Sequence, residues 1–299
     1  MNLSVLLTAA EQGLIYSLVA LGLYLSFRIL NIADLTTDGS FTLGLVACTA
    51  CTAAGHPYLG FAVAVAAGAL AGLVTGILQT VFRVQPILAG IITMTGLISI
   101  NLMVLGGKSN QTLLREETLF TKAQELLGPQ GGLAAAAAAA LLCGVLLVLF
   151  LGTQLGLSLR ATGDNRAMVA ASSINPAFTT VVGLAIANGI IALSGALLAQ
   201  QQGYGDTTLG TGMVVIGLAS LVIGEVVTAR RGGIAGAVAA AVLGSVLYRI
   251  ITAFALTSNL GASNLKLVSA VIVAAAISYP AVIAKIKWMK KRREASKHA

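Results

Sequence analysis

Hydrophobic residues in this chain come in long unbroken runs, not in the alternation expected of half-buried strands. A membrane helix needs about 20 mostly apolar residues. By that ruler spans fall at 11–28, 35–54, 58–82, 86–106, 132–153, 176–199, 212–229 and 234–256, with a ninth apolar run at 265–284. Continuous runs argue against a β-barrel. The pattern therefore predicts an all-α polytopic membrane protein with eight or nine transmembrane helices, a single domain over 1–299. Re-entrant segments could hide in that count. Three polar stretches interrupt the runs: 107–131, a connection near 157–172, and a tail at 285–299.

Composition agrees. Of 299 residues, 57% are hydrophobic and 9% charged, against roughly 25% charged in soluble domains, which excludes a water-soluble globular protein. The 34 glycines suit helices that approach through small side chains, and the run Ala134 to Ala140 reads the same way. Cys48, Cys51 and Cys143 lie inside apolar runs without the polar surroundings that activate a thiol, so neither a redox nor a metal role is assigned. Met1 to Thr8 has no positive lead, so no signal peptide is read there.

A net charge of +8 would point to nucleic acid on a soluble chain. Here the cations sit between hydrophobic runs. With nine crossings and the positive-inside rule, 13 Lys and Arg face the cytoplasm, four (Lys108, Arg115, Lys122, Lys266) face outside, and Arg249 stays within a span. The N-terminus is then external and the C-terminus cytoplasmic. The tail Lys285, Lys287, Lys290, Lys291, Arg292, Arg293 and Lys297 reads as an anchor to anionic lipid in the cell membrane. Arg249 is expected to snorkel toward a headgroup. Glu225 is expected to pair with Arg230, His56 to be a surface residue, and Gln200, Gln201, Gln202, Tyr204 and Asp206 to form an outer polar loop.

A weak internal repeat also shows. Asp34-Leu-Thr-Thr-Asp38-Gly39 resembles Gly205-Asp206-Thr-Thr-Leu-Gly210, and Gly68 to Gly72 with Phe82-Arg83 echoes Gly232 to Gly236 with Tyr248-Arg249. The charge-derived directions of the two copies are opposed, as in the inverted repeats of transporters.

The connection near 157–172 carries the most specific pattern. Asp164 reads as an N-cap, Gly163 as the residue that allows a sharp entry, and Ala167, Ala170 and Ala171 share one helical face. Asn175-Pro176 reads as the cap and first-turn proline of the next span. A small-residue face on a short surface helix suits insertion into a partner's groove.

The run from Ser158 to Ala171 resembles the cytoplasmic coupling loop of permease subunits in ABC importers of the branched-chain amino acid and ribose type, approximately L-R-A-x-G-x-N-x-x-A-A. Arg160, Ala161, Gly163 and Asn165 match; Ala170 and Ala171 form the Ala pair displaced by one residue; Ser173 stands where that family usually has Gly before Ile174. Ala33 to Ser40 is similar to the family's D-L-S-x-G-S signature with one extra residue. The resemblance implies a type II importer fold. It also implies a second permease subunit, with a homodimer favoured, two cytoplasmic ATPase subunits that bind ATP and Mg, and an external substrate-binding protein. Arg160, Ala161, Gly163, Asp164, Asn165, Ala167, Ala170 and Ala171 then become the contacts to the ATPase. The chain needs no cofactor of its own in this reading, and no catalytic residues are expected. Consistent with that, Gly106-Gly107-Lys108-Ser109 lacks the leading Gly of a phosphate loop.

Polar groups at membrane depth are candidates for the path. Asp38, Thr95, Ser99, Asn101 and Asn188 are selected, while Asp34 and Asp38, placed near the cytoplasmic start of the second span, are read first as holding a broken helix in shape. Few charges fall along these spans, which favours a neutral or zwitterionic solute such as a hydrophobic amino acid. The alternative is an ion-gradient-driven secondary transporter needing Glu225 or Asp38. No nucleophile or His, Glu and Asp cluster supports a membrane-embedded enzyme.

Overall fold

A computed structural model describes residues 3–113, 116–228 and 233–257, with single helical positions at 270, 271, 274, 278 and 288. The ninth run at 265–284, Arg230, Arg231 and the basic tail therefore lie largely or wholly outside the described residues. Each of the eight earlier runs is helical. In chain order they form α1 (Leu3–Leu23), α2 (Thr36–Ala53), α3 (Pro57–Thr80), α4 (Pro86–Val104), β1 (Asn110–Thr112), α5 (Leu119–Leu127), α6 (Gly131–Gly152), α7 (Gln154–Asp164), α8 (Arg166–Ala171), α9 (Pro176–Gln202), β2 (Tyr204–Asp206), α10 (Met213–Thr228) and α11 (Gly233–Thr257). Pro57, Pro86 and Pro176 sit in first turns, where a missing N–H costs no hydrogen bond.

Among the described residues six helices are long and apolar enough to cross a membrane. The chain is a multi-pass membrane protein. α10 falls short in length, and α2 in hydropathy because Thr36, Thr37, Asp38 and Ser40 open it; both begin at mid-depth. Asp34, just before α2, bonds to Asn188, the thirteenth of the 27 residues of α9. This corrects the expected position of Asp34 and Asp38 near the cytoplasmic face: the chain first climbs from Leu30 to Leu35 without regular structure, and only then turns helical. A matching segment, Gly203 to Gly212, descends along α2 from the opposite end. Gly205 packs on Thr49, Gly210 on Thr42, and the Gly212 N–H reaches Asp38.

The repeat is visible in these two segments. Asp34 Oδ1 accepts from Thr36 N at 2.8 Å and Asp206 Oδ1 accepts from Thr208 N at 2.7 Å, the same Asx turn in both copies. Contacts give opposed directions. Ser194 Oγ on α9 donates to Ile15 O on α1, while Gly22 on α1 meets Ala187 and Ile191, so α1 and α9 are antiparallel. α2 runs with α9, since Asp34 meets Asn188 and Thr52 meets Gln200. α10 runs with α1, since Gly217 meets Val19 and Leu23 while Glu225, two turns on, meets Arg28 beyond the end of α1. The second pair of repeat motifs does not superpose: Phe82-Arg83 lies beyond the end of α3, whereas Tyr248-Arg249 lies inside α11.

α9 is the axis, with 67% of its apolar window buried, against 28% for α4. α2, α3 and α1 close on it through glycines. A Cβ on Gly44 would meet the Ala192 carbonyl at 2.0 Å, on Gly72 the Leu184 carbonyl at 2.2 Å, and on Gly195 the Phe41 carbonyl at 2.1 Å. The alanine run of α6 does the same on one face, burying Ala136 and Ala140.

At one end of the bundle, β1 pairs antiparallel with β2, Asn110 opposite Asp206. We call this the hairpin end. Gln200, expected in an outer loop, is instead buried in α9: its amide accepts from Leu119 N and donates to Pro57 O, joining α3, α5 and α9. His56 is exposed there. At the other, connector end lie 81–85 and the α7–α8 connection.

Gly195→Val drives a branched side chain into the α2 backbone and is expected to cost about 1–3 kcal/mol, lowering the melting temperature of the purified protein in micelles. Gly96→Ala, where a Cβ meets nothing within 4 Å, is expected to raise stability by about 0.5–1 kcal/mol through helix propensity. Equal melting of the two variants contradicts the packing described.

Candidate translocation and coupling site

Two helix starts meet at mid-depth, and each is held by a carboxylate. Asp38, in the first turn of α2, accepts from Gly212 N at 2.8 Å and Val214 N at 2.9 Å, which satisfies backbone donors at the start of α10. Asp34 accepts from Thr36 N at the start of α2, and its second oxygen accepts from Asn188 Nδ2 at 2.7 Å. Beside them a hydroxyl chain crosses three helices. Thr36 Oγ1 and Thr75 Oγ1 lie 2.8 Å apart, and Thr75 Oγ1 donates to Thr93 Oγ1 at 2.9 Å. Thr75 was not among the residues selected from the sequence, because a Thr in an apolar run usually bonds its own helix, and Ala71 O, 3.1 Å from Thr75 Oγ1, competes for the same proton.

Of the other selected polar residues, Asn188 joins this cluster through Asp34, whereas Thr95 and Ser99 do not. Asn101 and Asn188 are buried, each with a side-chain oxygen lacking a hydrogen-bond partner. Thr95 and Ser99 face outward from α4, on the side opposite Thr93 and Asn101. Among the described residues no three His, Cys, Asp or Glu side chains gather as metal ligands.

At the connector end the polar stretch forms two helices, not one spanning 157–172. Thr153 caps α7 through Gly156 N. Asn165, not Asp164, caps α8, its Oδ1 accepting from Met168 N at 3.1 Å; Asp164 is the last residue of α7. Gly163 is not a turn residue either. It lies inside α7 where a Cβ would collide with the Ile29 carbonyl, so two backbones touch. Thr162 Oγ1 and Thr179 Oγ1, 2.8 Å apart, pin α7 to α9. Arg160 and Ala161 are half-buried. Asp164, Asn165, Ala167, Ala170 and Ala171 are exposed, while Val169 alone anchors α8 inward. α8 closes with Ile174 N bonded to Val169 O and Ser173 at φ 61°, the left-handed residue of a Schellman stop.

That end also carries an ion pair that the sequence reading did not include. Glu225 of α10 pairs with Arg28, because α10 runs beside the π-helical segment Tyr24–Ile29 that ends α1; Arg230 lies outside the described residues. At the hairpin end Lys122 sits 2.8 Å from Glu117 and holds its carboxyl below the usual range.

Compared with known proteins, the family described as the permease component of the branched-chain amino acid transport system matches residues 5–287. The chain belongs to that permease family. Two relatives span nearly all of it. A tyrosine transport system permease protein of Clostridioides difficile is 36% identical over 91% of this chain and 90% of its own length, and an uncharacterized protein of Rickettsia prowazekii is 30% identical over 92% and 98%. No solved structure matches the permease.

Ser173→Gly is expected to stabilise the permease, by about 1 kcal/mol, since a left-handed residue with a Cβ carries a penalty of roughly 1–2 kcal/mol. Chemical denaturation in micelles measures it, and a drop in stability contradicts the helix stop. Asp38→Ala strands the donors at Gly212 and Val214 and is expected to speed amide exchange over residues 212–218 at least tenfold while leaving 42–50 unchanged.

Proposed function

We propose that this permease is the membrane subunit of an ATP-driven ABC importer for an amino acid or similar zwitterionic solute. The observation that carries the reading is α8: a capped, exposed helix whose Ala167, Ala170 and Ala171 offer a surface without bulk. Such a face seats closely in a groove of a cytoplasmic ATPase, which binds the ATP and Mg. The connector end is then cytoplasmic. Among the described residues Arg28, Arg83, Arg160 and Arg166 lie there, against Lys108 and Lys122 toward the hairpin end, in keeping with positive residues inside. The N-terminus of α1 is then external, and the hairpin end receives a substrate-binding protein.

Movement of α7–α8 has a short mechanical route inward. Gly163 bears on Ile29 and Leu30, Leu159 and Leu30 both pack at Gly183, and five residues after Ile29 Asp34 holds the start of α2. A second permease subunit, a homodimer in this reading, pairs across the outward face of α4. Its exposed Thr95, Gly96 and Ser99 supply polar, open positions at membrane depth for a shared path. The tyrosine permease relative supports an aromatic amino acid as solute.

Ala167→Asp and Ala170→Asp place charge on the exposed face without touching the bundle. After co-reconstitution with the ATPase, both are expected to cut ATP-driven uptake at least tenfold with unchanged melting. Full uptake by either variant contradicts coupling through α8, and uptake by the permease alone that an ionophore abolishes establishes a secondary transporter instead.

A further inference from the structure

Arg249 was expected to snorkel toward a headgroup. It does the opposite. Its guanidinium lies over the Tyr16 ring, 4.1 Å from the centroid, level with Gly13 of α1, roughly ten residues or 15 Å below the start of that helix. Its Nε is buried without a hydrogen-bond partner, and no described acidic side chain pairs with it. Glu11, the nearest acid along α1, turns to the other side, against Gly132 and Gln201.

The cation closes the foot of a crevice of about 310 Å³ between α1 and α11, within the roughly 300–1,000 Å³ of small-ligand pockets. Its wall is mainly apolar, with Val5, Ala9 and Ala253, but carries one polar stripe. Ser4, Thr8 and Gln12 follow one another at i, i+4 and i+8 on α1, and Thr252 completes the rim from α11. Thr8 and Thr252 already donate to the Ser4 and Tyr248 carbonyls of their own helices, so it is the guanidinium, with no acidic partner among the described residues, that a ligand has to satisfy. With one guanidinium face covered by Tyr16, the planar N–H edge remains for a ligand. That edge matches the two oxygens of a carboxylate or phosphate.

We propose that this crevice is an oxyanion site anchored by Arg249. Its ligand is the carboxylate of a zwitterionic solute or the phosphate of a lipid headgroup. The solute source rests on the amino-acid transport reading above; the lipid source does not.

Thermal unfolding of the full-length permease, delipidated in maltoside micelles, separates the sources. The probes are L-tyrosine, tyramine, which lacks the carboxylate, and phosphatidylglycerol. Stabilisation by tyrosine but not tyramine, with apparent affinity at least tenfold weaker in R249Q, assigns a solute carboxylate. Stabilisation by phosphatidylglycerol alone, lost in R249Q, assigns a lipid phosphate. R249K keeps the charge but not the fork, and a drop in affinity of at least threefold is expected; it decides the matter should R249Q fail to fold. Equal response of wild type and variants to every probe, or no response to either oxyanion, overturns the site. The assay contains no ATPase and no uptake step, so its failure leaves ATP-driven import standing, and failure of import leaves the site standing.

Discussion

A helix that starts inside a bilayer exposes backbone N–H groups where no water can reach them, and each unpaired donor costs several kcal/mol. This chain starts two helices there. Asp34 and Asp38 make that affordable by turning their carboxylates onto the starts of α2 and α10. Each carboxylate in turn gains fixed donors in place of water. Backbone and side chain thus solve one another's problem, and the segments Leu30 to Leu35 and Thr207 to Gly212, which are neither helix nor strand, meet at a joint where these backbone donors are held.

The rest of the bundle follows from the need to bring these segments together. Hydrocarbon gives helices little reason to associate, so close backbone contact and interhelical hydrogen bonds must hold them. Gly44, Gly72 and Gly195 let α2, α3 and α9 touch carbonyl to Cα. Buried hydroxyls such as Ser194 and Ser245 then donate across helices to Ile15 and Gly13. The same economy of size recurs at Gly163 against Ile29, which ties the surface connection to the π-helical segment Tyr24–Ile29 and from there to the joint.

Ser173 shows how a departure from a family pattern can be read physically. A Gly before Ile174 would adopt the left-handed stop of α8 without strain; Ser adopts the same φ at a cost. The backbone geometry persists, so the departure weakens the helix stop without changing where α8 lies.

Local pattern determined much of this molecule from sequence alone. Run length identified the helices, proline and asparagine marked the start of α9, and the motifs holding Asp34 and Asp206 were legible as two copies of one pattern, because each of these signals lies within a few residues. The exposed alanines of α8 were equally readable, since a short helix needs only its own periodicity. What depends on distant partners was decided by tertiary structure. Mid-depth starts for α2 and α10 require Asn188 and Gly212 to arrive from remote segments; the choice of Asn165 over Asp164 as cap depends on where α7 ends against Ile29; Glu225 meets Arg28 because α10 lies along α1. Arg249 is the clearest case. Hydropathy sends a lone cation to the nearest headgroup, and only the packing of α11 on α1 places the Tyr16 ring beneath it and a polar stripe beside it.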